Sequence, residues 1–219
     1  KTSLAQVAGF MDKLEQLELA VTEEAPQTQS ELNLYFGLAA LQFTKQTYFT
    51  QKVQKLASEL APKDQSMGAL ALKLAHRDAS VPELIATGLK ASPKDAVLNL
   101  LQAYHFERVG ELPMAQKHFA DAFAANPKFL QAVRKMTEID IRKGSYESAE
   151  THLVVLEKEI AASFPSLFLR GRLEYERPNG DLSVAKKALA NVLKLPTNTI
   201  RQADRALTWR HGRERLGRT

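Results

Sequence analysis

Cysteine is absent from the 219 residues of this chain. That one absence removes disulfide frameworks, thiolate zinc sites, cysteine nucleophiles and thiol redox chemistry together. Glycine (10) and proline (9) are too sparse for a collagenous or low-complexity chain. No apolar run approaches the roughly 18 residues that span a bilayer as a helix, so no membrane span is expected. Phosphate-binding and catalytic signatures are missing as well. There is no G-x-x-x-x-G-K-[ST], no G-x-G-x-x-G after a strand, no H-E-x-x-H and no G-x-S-x-G. The expectation is of a non-catalytic chain that holds no cofactor and no metal.

What is present is an ordinary globular balance of 44% apolar and 25% charged residues, enough for a packed core. The net charge of +5 comes from 30 basic against 25 acidic residues, and most of it lies at one end. Residues 201–219 hold six arginines (Arg201, Arg205, Arg210, Arg213, Arg215 and Arg218) against Asp204 and Glu214. This basic end, 198–219, reads as a solvated terminal helix rather than a nucleic-acid patch, because apart from Trp209 its arginines are not interleaved with aromatics. The single tryptophan, Trp209, points away from the Ile200/Leu207 line of that helix, and further chain is the expected cover for it. The start at Lys1 has no basic region followed by an apolar one, as a targeting peptide would. The expectation is a segment of a longer chain, soluble, with a cytoplasmic setting favoured over a periplasmic one.

Self-similarity is the strongest signal. The segment Gly110-Glu-Leu-Pro-Met-Ala115-Gln-Lys-His118-Phe119 aligns with Gly144-Ser-Tyr-Glu-Ser-Ala149-Glu-Thr-His152-Leu153 at a spacing of 34. A third copy, from Gly180 through Ala185 to Leu189, follows 36 residues further on. Pro26, Pro62, Pro93, Pro127, Pro165 and Pro196 keep a similar beat, at spacings of 31 to 38. Between these marks the chain is rich in Ala, Leu, Lys, Gln and Glu and nowhere alternates as strands do. The pattern predicts about twelve helices, near 4–24, 28–45, 47–61, 64–76, 80–91, 94–109, 112–125, 128–143, 146–162, 165–177, 181–194 and 198–215. Gly110, Gly144 and Gly180 are expected at turns within a helix pair, and the prolines between pairs. Ala115, Ala149 and Ala185 suit close helix crossings, with Phe119, Leu153 and Leu189 one turn later on the same face.

These residues carry a resemblance. Residues 96–129 resemble a tetratricopeptide repeat through Ala103, Phe106, Ala115, Phe119, Ala122 and Pro127. Residues 130–163 keep Ala149 and Leu153 but have Thr137 and Asp140 where the family has a small residue and an aromatic. Residues 164–196 return to the pattern through Gly171, Ala185, Leu189 and Pro196, with a longer loop at 177–180. The first 93 residues keep the beat with little of the signature, and Thr50 stands where a crossing alanine is expected.

The resemblance implies an all-α fold over 1–219, a right-handed superhelical solenoid of about five to six antiparallel helix pairs. It also implies a scaffold or adaptor whose first helices line a concave groove for a peptide or helix of another protein. By resemblance, the groove candidates are Leu100, Tyr104, Arg108, Arg134, Glu138, Arg142 and Arg172. A row of charges four apart, such as Arg134, Glu138 and Arg142, also describes any solvated helix face. The alternative is a regulatory or localisation module of a larger signalling or envelope-assembly protein. Nucleic-acid binding through the basic end is disfavoured, and no small-molecule substrate is expected.

Two further features need an account. His118 and His152 occupy equivalent positions of adjacent hairpins, but with no third or fourth metal ligand they read as exposed surface histidines. Asp140 continues the buried stripe of Phe129, Val133 and Met136, and a buried carboxylate needs partners. A bond to the next turn or a basic neighbour is expected there.

Overall fold

A computed structural model describes residues 29–42, 47–61, 64–161 and 163–195. The described residues form an all-α structure of ten helices. These are α1 Gln29–Gln42, α2 Thr47–Ser58, α3 Met67–Ala75, α4 Val81–Ala91 and α5 Ala96–Val109, then α6 Leu112–Ala125, α7 Leu130–Lys143, α8 Tyr146–Ile160, α9 Phe164–Glu176 and α10 Leu182–Lys194. They answer to ten of the twelve expected helices. The helices expected at 4–24 and 198–215, Trp209 and the basic end lie outside the described residues. Among the described residues no helix is long and apolar enough to cross a membrane.

Local chemistry sets the helix ends. The Asp95 carboxylate accepts from the Leu98 N–H at 2.8 Å at the start of α5, and that of Asp181 accepts from Ser183 and Val184 at 2.7 and 3.1 Å at the start of α10. Pro82, Pro113 and Pro165 sit in first turns, where their missing N–H costs nothing. At the other end, α5 and α7 stop at Gly110 and Gly144, with φ of +89° and +76°. The next N–H then bonds back across the turn, Glu111 to the Phe106 carbonyl and Ser145 to the Asp140 carbonyl, both at 2.9 Å.

Helix α3 ends with the same pair of bonds, Arg77 N–H to the Leu74 carbonyl and Asp78 N–H to the Lys73 carbonyl, at 3.1 and 3.0 Å. The residue with positive φ is here Arg77, at +67°. A side chain in that region costs roughly 1–2 kcal/mol. Gly180 lies at the turn between α9 and α10, as expected of it, but it is not the residue with positive φ. Asn179 takes the positive φ of +58°, and Gly180 is needed because a Cβ there would collide with the Glu174 carbonyl.

Neighbouring helices pack in sequence order. The closest pairs in the second half are α5 with α6, α7 with α8 and α9 with α10, while α6 also packs on α7 and α8 on α9. Ala115, Ala149 and Ala185 are fully buried, as their crossings require, and Phe119 and Leu153 are enclosed beside them. Gly171 of α9 lies so near α10 that a Cβ would stand 2.6 Å from Leu189 Cγ. Adding bulk at these crossings should overpack them. Ala115→Leu and Ala149→Leu should each lower stability by about 1–3 kcal/mol, read as a reduced midpoint in a far-UV circular dichroism melt.

The first half departs from the expected pairing. Helix α1 packs most closely on α3 rather than on α2. Two glycines allow it. A Cβ on Gly37 would lie 2.5 Å from the Ala71 backbone, and one on Gly68 would collide with the Ser30 carbonyl. Neither glycine falls on the repeat, so spacing alone gave no sign of this crossing. The buried apolar side chains form one continuous cluster from Phe36 in α1 to Leu173 in α9.

Candidate functional site

The seven groove candidates divide between core and surface. Leu100 of α5 is fully enclosed and belongs to the core instead of an exposed face. Tyr104, one turn on, is only 2% exposed, which also differs from the expected groove position. Its ring packs edge-on against Phe119, 5.3 Å between centroids at 89°, and the Lys135 ammonium lies 5.8 Å from the ring centre on another side. Both differences have one physical cause. Helix α5 packs on α6 and also on α4 and α3 of the preceding pair, so its apolar stripe is wider than one face. Burial drives the Tyr104 hydroxyl well above the usual phenol range, and that hydroxyl has no hydrogen-bond partner among the described residues.

The charged candidates form a ladder across α5, α7 and α9. Glu107 of α5 pairs with Lys135 of α7 at 3.0 Å. Glu138 lies 3.6 Å from both Lys135 and Arg134. Burial opposes ionisation of Glu138, but Lys135, Arg134 and the Arg172 charge of α9 hold its carboxyl below the usual range. Arg172 itself forms a two-point pair with Glu176, at 2.7 and 3.4 Å. Arg142 is exposed in the last turn of α7. Arg108, in the last turn of α5, turns back to donate to the Leu74 carbonyl of α3 at 2.7 Å.

Beside Tyr104 the ladder opens into a cleft of about 400 Å³. Arg77, Arg108, Lys135 and Glu107 supply its charged rim. Leu41 of α1, Val53 of α2 and Ala75 of α3 supply apolar wall. Sequence reasoning passed over Lys135, Glu107 and Arg77. The first two belong to helices 28 residues apart in the chain, off the repeat spacing. Arg77 did leave a signal: it stands 33 residues before Gly110, where the beat calls for glycine.

The histidines and Asp140 are parts of one packing device. His118 and His152 are half-buried and hydrogen-bonded, not exposed. His118 Nδ1 donates to Asn99 Oδ1 at 2.9 Å, and its ring stacks on Phe106 at 5.4 Å. Burial holds the His118 imidazole below its ordinary value. His152 Nδ1 donates to Asp140 Oδ2 at 2.9 Å. Phe106 and Asp140 are themselves 34 apart, so one pair of repeat positions is filled by a ring stack in one hairpin and by a polar contact in the next. Asp140 gains two more donors, Ser148 Oγ at 2.7 Å and Gln116 Nε2 at 2.6 Å. Among the described residues no three or more His, Cys, Asp or Glu side chains are grouped to hold a metal ion.

Comparison of the chain with protein-family models, with curated proteins and with solved structures gives no match.

Proposed function

We propose that this chain is a non-catalytic interaction scaffold whose first helices, α5, α7 and α9, receive an extended or helical segment of another protein. The helix pairs would continue as a right-handed superhelical solenoid of the tetratricopeptide type, as the repeat of Ala103, Ala115, Phe119 and their successors implies. One observation carries the reading. One ion pair, Glu107 with Lys135, links α5 to α7, and electrostatic coupling of Glu138 with Arg172 links α7 to α9, so charges of three successive first helices share one side. On that side the cations Arg134, Lys135, Arg142 and Arg172 outnumber Glu107, Glu138 and Glu176, and Arg108 stands at its edge, turned toward α3, which favours a segment of acidic character.

The test uses Arg142, which is exposed, and Arg172, which is half-buried and whose carboxylate partner is Glu176 of its own helix, because Arg134 and Lys135 are held among Glu138 and Glu107. Arg142→Glu combined with Arg172→Ala removes charge from the face without opening the core, and surface changes of this kind usually stay within about 0.5 kcal/mol of stability. Proteins captured by the immobilised chain should be lost from the double variant while its melting temperature holds. A central arginine in an interface contributes about 2 kcal/mol, roughly thirtyfold in affinity. Capture that survives the double variant unchanged would show that the face is not the docking surface.

A further inference from the structure

The end of α3 and the last turn of α5 bring two guanidinium groups to one cleft without a counter-ion. Arg108 donates to the Leu74 carbonyl, and among the described residues neither it nor Arg77 meets a carboxylate. Lys135 also reaches the cleft, but Glu107 neutralises it at 3.0 Å. The rim therefore carries two positive charges in excess. Burial first, and then the adjacent Arg77 guanidinium, push Arg108 below its usual value. Opposite this rim the wall is apolar, from Leu41, Val53 and Ala75, with Tyr104 beside them. The volume of about 400 Å³ suits a small molecule, whose sites run from roughly 300 to 1,000 Å³.

The backbone supplies an independent observation. Arg77 holds a φ of +67° at the turn where α5 and α7 use Gly110 and Gly144. Glycine makes this turn without strain, and arginine makes it only with strain. Strained residues of this kind concentrate where a side chain has a task beyond folding.

We propose that this cleft, between α1, α2, α3 and α5, binds a small organic dianion with an apolar body, either a phosphate monoester or a dicarboxylate. The charged head sits on Arg77 and Arg108, whose planar donor forks match phosphate and carboxylate oxygens. The apolar body lies on Leu41, Val53 and Ala75. A dianion fits because the excess charge of the rim is two. This occupant is distinct from the protein segment assigned to the charged face, so either assignment can fail alone.

Isothermal titration calorimetry on the full chain at low salt tests it, with phenyl phosphate, phenylsuccinate, inorganic phosphate and an aspartate-rich hexapeptide as probes. One or both aromatic dianions should bind at one site with a Kd of about 1 mM or below, and the tighter of the two identifies the head group. Inorganic phosphate should bind at least about tenfold more weakly, since it leaves the apolar wall uncovered. Arg77→Gly is the telling variant. It should raise the melting temperature by roughly 2–4 °C by relieving the turn, yet weaken the aromatic dianion by at least about tenfold. Arg108→Gln should weaken it by a similar factor. Failure of both aromatic dianions to bind, wild-type affinity in Arg77→Gly, or equal affinity for inorganic phosphate each overturns the site. Binding of the hexapeptide alone would assign the cleft to a protein segment instead.

Discussion

Replacing Arg170 with alanine should lower the stability of the chain by about 3–5 kcal/mol, a fall on the order of 10 °C in melting temperature. Arg170 of α9 is largely buried and holds three carboxylates. Its Nε and Nη2 form a two-point pair with Glu157 at 2.8 and 2.7 Å. Its Nη1 reaches Glu150 at 2.7 Å and Glu174 at 3.3 Å. Glu174 is only 4% exposed and also accepts from Arg177 at 2.6 Å and from the Asp181 N–H at 3.0 Å. The network thus ties α8 to α9 and α9 to the start of α10. Without Arg170, Glu150 and Glu174 share Arg177 and Glu157 loses its ion-pair partner, and removing one partner of a buried pair costs far more than the pair contributes net. Arg170→Lys should recover little, because an ammonium cannot reproduce the two-point pair with Glu157. Thermal melts of both variants supply the check, and a midpoint within about 2 °C of the parent for Arg170→Ala would remove the network from the account of stability.

The same network sets an acid response. Hydrogen bonding from Arg170, with the charges of Arg170 and Arg177, holds the Glu150 carboxyl below the usual range despite partial burial. A folded value below the unfolded one means that Glu150 stabilises the fold above the unfolded glutamate value of about 4.3. That contribution is lost as pH falls through the lowered folded value. In Arg170→Ala the depression is reduced to what Arg177 supplies, so this part of the loss of stability below about pH 4.3 should shrink.

Much of this architecture was legible because it is periodic. Alanine at 115, 149 and 185, glycine at 110 and 144 and proline at 93 and 127 each answer a requirement that recurs once per helix pair, so spacing revealed them together. What spacing could not show falls into two kinds. One is contact set by glycines off the beat, as at Gly37 and Gly68, where a missing Cβ lets α1 approach α3. The other is burial on more than one side of a helix. Periodicity finds the stripe that faces the partner within a pair, but α5 also packs on α3 and α4, and α7 on α6 and α9. Leu100, Tyr104, Gln131 and Lys135 are buried for that reason, although they lie off the stripe on which the sequence reading relied. The cleft fell outside that reading because its rim joins the end of α3 to the last turns of α5 and the middle of α7, which no short motif spans.

The second large effect is expected at Asp140. The sequence marked it as a departure, a carboxylate on a buried stripe where the repeat pattern calls for an aromatic, but not the source of its partners. They come from two helices: Gln116 of α6, and Ser148 and His152 of α8, at 2.6, 2.7 and 2.9 Å. With Asp140 only 1% exposed, the three donors converge on one buried charge and fix α7 between the helices that precede and follow it. Bonds to a charged group each contribute about 1.5–3 kcal/mol, and donors stranded in the interior add their own desolvation cost. Asp140→Ala should therefore lower stability by about 3–5 kcal/mol. Asp140→Asn separates the two contributions. It keeps the size of the side chain, but its amide can accept through one oxygen only and turns a donor toward donors, so its loss should be smaller than that of alanine and still clear of zero. Adding Ser148→Ala to Asp140→Ala removes a stranded donor and should recover part of the loss, and a double-mutant cycle on these residues reads that coupling directly. A cycle that closes with no coupling would mean that Ser148 does not depend on Asp140 in solution, leaving α7 and α8 joined by their apolar contacts alone.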